Sequence, residues 1–258
     1  MSKQVRVAIA CYDLHYPIYS QVTVRAMFKY LKDVQPDVFI FGGDQFQFDC
    51  ISHHTKHTPI FRTRRSYIND IEGFNRDILT PLEAILPKDC QKVWIVGNHE
   101  DWEQDLINEQ PELEDAIGHV KLLDLVRRNW TVIPLGHAYH FGKLNIVHGE
   151  ILTGVGNQAG KYPSAKALEI YAGNVLAGHT HAPQSFTKVS PVQVTNKWQA
   201  HIAPIAGSNN PEYLRNRPTA WLNGIVRIEG RTNGAFNLYP IIIVNGEFSW
   251  NGKIYGGK

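Results

Sequence analysis

Five short apolar runs in the first 181 residues are each followed directly by residues of the types that bind metal ions. The runs cover residues 7 to 10, 38 to 41, 93 to 96, 144 to 147 and 175 to 177, and we predict each of them to be a buried strand. Helical segments separate most of them, an order that predicts an α/β fold. Because ligands of open α/β sheets bind outside the carboxyl ends of the strands, we expect the side chains after these runs to meet in one crevice.

The residues after the runs include seven candidate metal ligands. They are Asp13, His15, Asp44, Asn98, His148, His179 and His181. In an extended segment, residues two apart project to the same side, so Asp13 and His15 can aim at one point. Seven ligands are too many for one tetrahedral zinc and are enough for two ions. The sequence therefore predicts a binuclear site, in which two ions about 3.5 to 4 Å apart activate a water and neutralise charge on a phosphoryl group.

These motifs resemble, in order and spacing, the motif set of the calcineurin-like metallophosphoesterases. The matching motifs are Asp13-Leu14-His15, Gly43-Asp44, Gly97-Asn98-His99-Glu100, His148-Gly149 and Gly178-His179-Thr180-His181. The resemblance implies an α/β fold of the αββα type, a four-layer sandwich with two central mixed β-sheets. We expect a single domain over residues 1–258, with mostly antiparallel strands from about residue 185, where the helical segments end.

The resemblance also implies a role for each motif residue. Asp13, His15 and His181 would bind one metal ion, whereas Asn98, His148 and His179 would bind the other. Asp44 would bridge the two ions, and His99 would act as the catalytic proton donor or phosphate contact. The implied cofactors are two divalent ions, with Mn²⁺ expected first and Zn²⁺ or iron also compatible with nitrogen and oxygen ligands.

The second motif departs from two branches of this family. Protein phosphatases carry G-D-x-x-D-R-G there, but the residues after Asp44 are Gln45-Phe46-Gln47-Phe48-Asp49, without that second Asp or the Arg. The repair nucleases have a histidine where this chain has Gln47, so the sequence leaves open what supports His99. The segments 209–215, 221–224 and 250–255 look similar to small stand-alone phosphoesterases of phage and prophage genomes.

A basic segment after Asp44 supplies the candidate substrate-binding residues. They are His53, Lys56, Arg62, Arg64 and Arg65. The segment is interpreted either as a loop that binds phosphate groups or as an ordinary solvated loop, and the sequence does not separate the two. Lys and Arg number 26 against 24 Asp and Glu, which excludes a strongly polybasic nucleic-acid binder and leaves room for a local basic patch.

The predicted function is metal-dependent hydrolysis of phosphate esters, with a phosphodiesterase acting on nucleic acid or a nucleotide as the first interpretation. The alternative is a phosphomonoesterase acting on a small molecule or a phosphoprotein. A non-catalytic metal-binding scaffold is the remote alternative, and its signature would be a missing ligand, whereas all seven positions are filled. The expected partner is the phosphate-ester substrate, with DNA, RNA or a nucleotide as candidates, and the oligomeric state stays open.

The cysteines and the hydropathy pattern predict a cytoplasmic protein. Cys11, Cys50 and Cys90 form no C-x-x-C pair, which argues against a disulfide framework or a thiolate zinc site. No segment approaches the roughly 18 to 20 apolar residues of a membrane span, and the first apolar run is too short for a signal peptide. The expected compartment is the cytoplasm, which would be the host's if the gene belongs to a phage.

Overall fold

The computed structural model describes residues 5–55, 66–154, 160–192, 197–215 and 217–257, apart from the side chain of His54. The strands in this part of the chain are β1 (Val5–Cys11), β2 (Val38–Phe41), β3 (Gln91–Ile95), β4 (Trp130–Ile133), β5 (Tyr139–Phe141), β6 (Leu144–Ile146), β7 (Val175–Ala177), β8 (Gln184–Val189), β9 (Lys197–Ile202), β10 (Gly224–Arg231), β11 (Phe236–Ile242), β12 (Glu247–Trp250) and β13 (Lys253–Gly256). The α-helices are α1 (Gln21–Val34), α2 (Tyr67–Phe74), α3 (Thr80–Ile85), α4 (Asn98–Glu109), α5 (His119–Leu122) and α6 (Pro163–Tyr171). Among the described helices, none is long and apolar enough to cross a membrane.

The strands form two large mixed sheets and one hairpin. The first sheet has the order β11-β10-β1-β2-β3-β4, in which β1 to β4 run parallel and β10 and β11 join antiparallel. The second sheet has the order β5-β6-β7-β9-β8, with β6, β7 and β9 parallel. The strands β12 and β13 form a separate hairpin, and β13 packs against α1.

Alternate residues of β1 divide the interior into layers, because successive side chains of a strand point to opposite faces. Ile9 and Cys11 pack with the helices on one face of the first sheet, in a core that includes Met27 and Leu31 of α1. Ala8 and Ala10 face the second sheet in a separate core, which includes Ile146 and Leu176. Residues of α6 cover the outer face of the second sheet. The predicted four-layer αββα sandwich is therefore confirmed.

Two local predictions differ from the structure. From the sequence, Thr80-Pro81 predicts a break in a helical segment of about residues 65 to 86. Instead, the chain passes from α2 through a π-helical turn at Asn75–Leu79 into α3. The Thr80 N–H bonds to the Asn75 carbonyl, a longer reach than in an α-helix, and Pro81 then lies in the first turn of α3, where a missing N–H is tolerated.

Of the strands after residue 183, β8 to β11 extend the two large sheets, and β12 and β13 form the separate hairpin. The sequence predicts separate strands at 192–198 and 201–206; residues 193–196 lie outside the described part of the chain, and Lys197–Ile202 form the single strand β9. Besides its antiparallel partner β8, β9 has a parallel partner, β7. The pairing depends on a neighbour more than 20 residues away in the chain, which a local pattern does not specify.

Candidate metal centre

The residues that follow strands of both sheets converge at one end of the sandwich. Strands β1, β2 and β3 of the first sheet lead to Asp13, Asp44 and Asn98, while β6 and β7 of the second lead to His148 and His179. This cluster contains three groups of three residues, and within each group the ligand atoms lie within 4.8 Å of one another. The groups are Asp13, His15 and His181; His15, Asp44 and His99; and Asp44, His148 and His179.

Five of the predicted ligands have a left-handed backbone. Their φ angles are 50° at Asp13, 55° at His15, 52° at Asp44, 62° at His179 and 59° at His181. The expectation that Asp13 and His15 lie in an extended segment is therefore wrong, although their ligand atoms do lie close together. Left-handed conformations cost a non-glycine residue roughly 1 to 2 kcal/mol each and persist only where the surrounding structure imposes them. The fold therefore fixes the backbone at these five residues, and with it the direction in which each side chain leaves the chain.

The first group has the spacing of a ligand shell. The Nε2 atoms of His15 and His181 are 3.2 Å apart, and His181 Nε2 lies 3.4 Å from Asp13 Oδ1. Ligand bonds of about 2.1 Å at angles between octahedral and tetrahedral place neighbouring donors roughly 3.0 to 3.4 Å apart. The distances therefore fit donors that share one ion.

Asp44 and His148 belong to the third group, together with His179. His148 Nε2 lies 3.3 Å from Asp44 Oδ2 and 3.0 Å from the amide oxygen of Asn98. The other carboxylate oxygen, Asp44 Oδ1, accepts the backbone N–H of His99 at 3.0 Å. Asp44 belongs to two of the three groups, which is the position that a bridging ligand requires.

Backbone carbonyls set the proton positions of two histidines. His148 Nδ1 faces the Gly42 carbonyl at 3.2 Å, and His99 Nδ1 faces the Gln47 carbonyl at 2.8 Å. A carbonyl only accepts hydrogen bonds, so each Nδ1 carries the hydrogen. In both residues Nε2 is left to face Asp44, at 3.7 Å in the case of His99. His99 is therefore supported by the backbone of Gln47, although the sequence places no histidine there.

Thr153 orients His179 and was not predicted from the sequence. Its hydroxyl lies 2.5 Å from His179 Nε2 and 3.4 Å from the Glu150 carbonyl. Because this contact occupies Nε2, Nδ1 is the ring nitrogen of His179 that could face an ion. The backbone N–H of His179 donates to the Asp13 carboxylate at 3.1 Å. Thr153 lies five residues after His148 and carries no motif that could have revealed it.

Glu100 holds the loop after β2 against the start of α4. Its buried carboxylate accepts four backbone N–H groups, at distances between 2.6 and 3.0 Å. These donors belong to Asp44, Gln45, Phe46 and Gly97. Burial and the nearby charge of Asp44 raise the pKa of Glu100. The sequence shows Glu100 as part of a motif, but its role as a loop anchor becomes visible only in the structure.

At Asp44, His15 and His179, the electrostatics favour the protonation states that bind metal ions. Burial alone would raise the pKa of Asp44, but neighbouring histidines, His148 first, hold that pKa well below its usual range. Burial, and next the charge of His99, lower the pKa of His15 to about 3. Burial and His148 lower the pKa of His179 to about 4. At neutral pH the carboxylate is ionised and these two imidazoles are neutral, as ligation requires.

His148 has the opposite shift. Burial alone would lower its pKa, but Asp44 raises it to about 10. The two buried carboxylates of the cluster, Asp13 and Asp44, therefore attract a positive charge, which a divalent ion would supply. The donor chemistry, the spacing and this charge together fit two cations.

Among the predicted substrate-binding residues, only His53 lies in the described part of the chain. Its ring is 6.0 Å from that of Trp102, which in turn lies 4.1 Å from the ring of His99. His53 thus lies two rings away from His99, at the edge of the cluster. The other four, Lys56, Arg62, Arg64 and Arg65, lie outside the described residues.

The remaining surroundings are aromatic or separate from the cluster. Trp221, which precedes β10, packs edge-on against His181 at 4.4 Å. The described histidines outside the motifs take no part in the three groups. His119 and His201 are buried elsewhere, and His137 and His140 are exposed.

Comparison with known proteins gives one family match. The model of a family described as Calcineurin-like phosphoesterase matches residues 13–183. No curated protein matches the chain.

Three similar solved structures have low sequence identity. Vacuolar Protein Sorting 29 from Cryptosporidium parvum is 11% identical, with a TM-score of 0.46 over 99% of this chain and 97% of its own. Wild-type Vps29 from Entamoeba histolytica, complexed with zinc, is 10% identical, with a TM-score of 0.44 over 96% of this chain and 95% of its own. The nuclease MPE of Pseudomonas putida is 14% identical, with a TM-score of 0.35 over 96% of this chain and 86% of its own. With TM-scores below 0.5, these similarities add nothing to the family match.

Proposed function

Because the chain belongs to the calcineurin-like phosphoesterase family, we propose that it is a phosphodiesterase with two divalent ions, which hydrolyses nucleic acid or a nucleotide. The observation that carries the proposal is the position of Asp44 between two groups of ligand atoms, one with His15 and one with His148 and His179. A carboxylate shared in this way is suited to hold two cations close together.

Each ion would have its own ligands. Asp13, His15 and His181 would hold the first ion, Asn98, His148 and His179 would hold the second, and Asp44 would contact both. Two ions held in this way would supply an activated water near neutral pH and positive charge to offset the negative charge on a phosphoryl group. Mn²⁺ is the first candidate, and Zn²⁺ and iron suit the same donors.

His99 would give a proton to the departing alkoxide. Its ring is fixed by the bond from Nδ1 to the Gln47 carbonyl and by contact with Trp102. Its Nε2 faces the cluster at 3.7 Å from Asp44 Oδ2, so it is close to where a phosphate ester would lie. A proton donor at this position lowers the barrier for leaving groups that are strong bases.

The charges around the cluster support a diester over a monoester. A monoester brings two negative charges and a diester brings one. In the described part of the chain, histidines are the main source of positive charge at Asp13 and Asp44, ahead of any Lys or Arg. This supports a substrate with the single charge of a diester over one with the double charge of a monoester.

The test is an activity panel on the manganese-loaded protein. It compares a p-nitrophenyl diester, a p-nitrophenyl monoester, cyclic nucleotides, and single- and double-stranded DNA and RNA. We expect the diester and at least one nucleotide or nucleic acid to be hydrolysed faster than the monoester. Faster hydrolysis of the monoester would favour the phosphomonoesterase, and two bound ions without any turnover would favour the scaffold.

For the basic segment we propose contact with a nucleic-acid backbone. If Lys56, Arg62, Arg64 and Arg65 bind phosphates, the affinity for DNA or RNA should fall with salt by a log–log slope of about 0.7 to 0.9 per contact. Neutralising all four should flatten this slope and leave hydrolysis of a small aryl diester intact. An unchanged slope would show that the segment is a solvated loop that does not bind phosphates.

A further inference from the structure

A second cavity lies at the end of the sandwich opposite the metal centre. It has a volume of about 570 Å³ and includes three cationic side chains, those of Lys143, Lys197 and Arg231. Arg231 pairs with Val5 at the start of β1, whereas Asp13 follows the end of that strand. The seven residues of β1 span roughly 20 Å at about 3.3 Å per residue, so the cavity is distinct from the metal centre.

The three cations reach the cavity from different elements, whose backbones are tied together. Lys143 lies in the β5–β6 turn, and its N–H donates to the Gly234 carbonyl in the β10–β11 turn at 2.9 Å. The side chain of Asn174 donates to the Lys143 carbonyl at 3.1 Å and accepts the Gln199 N–H at 2.9 Å. The cavity is thus formed where the ends of both sheets are joined.

No carboxylate balances these charges. All 24 Asp and Glu residues of the chain lie in the described ranges, and none of them lines the cavity. No ion pair of the described residues includes Lys143, Lys197 or Arg231. Arg231 instead donates to the amide oxygen of Asn237 at 3.2 Å, which directs its guanidinium across the hairpin. Three unpaired cations in a concave site create a positive potential that attracts anions.

The rest of the lining indicates what else the ligand would carry. The amides of Asn174, Gln199 and Asn237 offer hydrogen bonds, while Phe236, Leu238 and Tyr239 add an apolar side. A cavity of a few hundred Å³ with this mixture has the dimensions of a small-molecule site. The three cations line one cavity, which suits a compact polyanion.

We propose that this basic cavity binds a small organic molecule carrying two or three adjacent phosphate groups. The phosphates contact Lys143, Lys197 and Arg231, and the organic part lies against Phe236 and Leu238. This site is additional to the metal centre and does not depend on the proposed function.

The test compares two double variants of the manganese-loaded protein by calorimetric titration with adenylyl imidodiphosphate. Lys143→Ser with Lys197→Ser removes two cations of the cavity, and Lys32→Ser with Lys88→Ser removes two exposed lysines that do not line it. A hydrogen bond to a charged group accounts for about a tenfold change in affinity or more. We expect the cavity variant to bind roughly 100-fold more weakly, and the control variant to remain within about twofold of the wild type. All four lysines are exposed, so both variants should unfold at the same midpoint as the wild type.

Several results would overturn the proposal. Equal affinity of the cavity and control variants for adenylyl imidodiphosphate would place the probe at the metal centre. So would competitive inhibition of diester hydrolysis by the probe that is as strong in the cavity variant as in the wild type. If the wild type bound methylenediphosphonate, which has no organic ring, as tightly as adenylyl imidodiphosphate, the organic part of the ligand would have no role in binding. A loss of affinity for single-stranded DNA without any loss for the small probe would make the cavity a nucleic-acid surface.

Discussion

Asp44 makes three contacts in the cluster, two through its carboxylate and one through its backbone. Its Oδ1 accepts the N–H of His99, its Oδ2 faces His148, and its backbone N–H donates to Glu100. An amide at this position would keep one acceptor oxygen but lose the charge with which a carboxylate bridges two cations. The side chain is fully enclosed, so water cannot replace what is lost.

We therefore expect Asp44→Asn to lose nearly all activity and to bind about one metal ion per chain, against the two expected for the wild type. Elemental analysis after gel filtration measures the occupancy, and the rate on an aryl diester measures activity. Asp105→Asn, at an exposed position, is the matched control. Two ions per chain together with near-normal turnover in the Asp44 variant would refute the bridging role.

His99 is expected to act on the leaving group and not on the ions. Its Nδ1 is occupied by the Gln47 carbonyl, and its Nε2 faces the cluster. His99→Ala should slow hydrolysis of an alkyl or nucleotide ester by roughly 100- to 10,000-fold, the usual contribution of a positioned general acid. The p-nitrophenyl ester should lose much less, because p-nitrophenolate leaves without a proton.

The control for this variant is His137→Ala, since His137 is exposed and lies outside the three groups. Both ions should remain bound to the His99 variant. Equal losses on both substrates would instead assign His99 to charge stabilisation of the phosphoryl oxygens. Loss of an ion would make His99 a ligand.

At the scale of elements, Glu100 connects the loop after β2 to the first turn of α4. Each of its carboxylate oxygens accepts two backbone N–H groups. In Glu100→Gln, either orientation of the amide turns an NH₂ group toward two of these donors. We expect the free energy of unfolding to fall by about 2 to 4 kcal/mol, since each unsatisfied buried donor costs roughly 1 to 3 kcal/mol.

The same variant should bind metal more weakly, because Asp44 depends on this loop for its position. Urea unfolding of the metal-free protein measures the stability, and titration with Mn²⁺ measures the affinity. Glu112→Gln, on the exposed turn after α4, should change neither quantity. Unchanged metal binding in the Glu100 variant would show that the ligands keep their places without the anchor.

At the scale of the whole molecule, a buried ion pair links stability to pH. His119 Nδ1 lies 2.7 Å from Glu103, which also accepts the His119 N–H and the Tyr67 hydroxyl. Burial alone would lower the pKa of His119, but Glu103, and next Glu100, raise it above its usual value. The native state therefore holds this proton more tightly than the unfolded chain does.

The stability from this pair is complete below about pH 6.5, the ordinary pKa of histidine, and is lost as the pH rises through the raised value. His119→Asn keeps an N–H donor near Glu103 but does not titrate. We expect the stability advantage of the wild type over this variant to shrink between pH 6 and pH 9 in urea unfolding. His137→Asn is the exposed control, and parallel pH profiles for the wild type and the His119 variant would contradict the expectation.

The α/β layout was predicted from apolar runs of strand length separated by helical segments, which depend on residue type and spacing alone. The four layers of the αββα sandwich were implied by the family resemblance that the ordered motifs carry. The same local information predicted that Asp13, Asp44, Asn98, His148 and His179 lie at one end of the sheets. Their roles as metal ligands stay a prediction until an ion is measured.

Contacts between distant parts of the chain decided the rest. The left-handed backbone at Asp13 and His15, the Gln47 carbonyl that holds His99, and the Thr153 hydroxyl at His179 have no local signature. The basic cavity likewise joins Lys143 to Arg231, 88 positions apart in the sequence. Sequence alone determined which chemical groups follow each strand. Only the tertiary structure decided their angles, their proton positions and their neighbours, because these follow from packing between segments that are far apart in the chain.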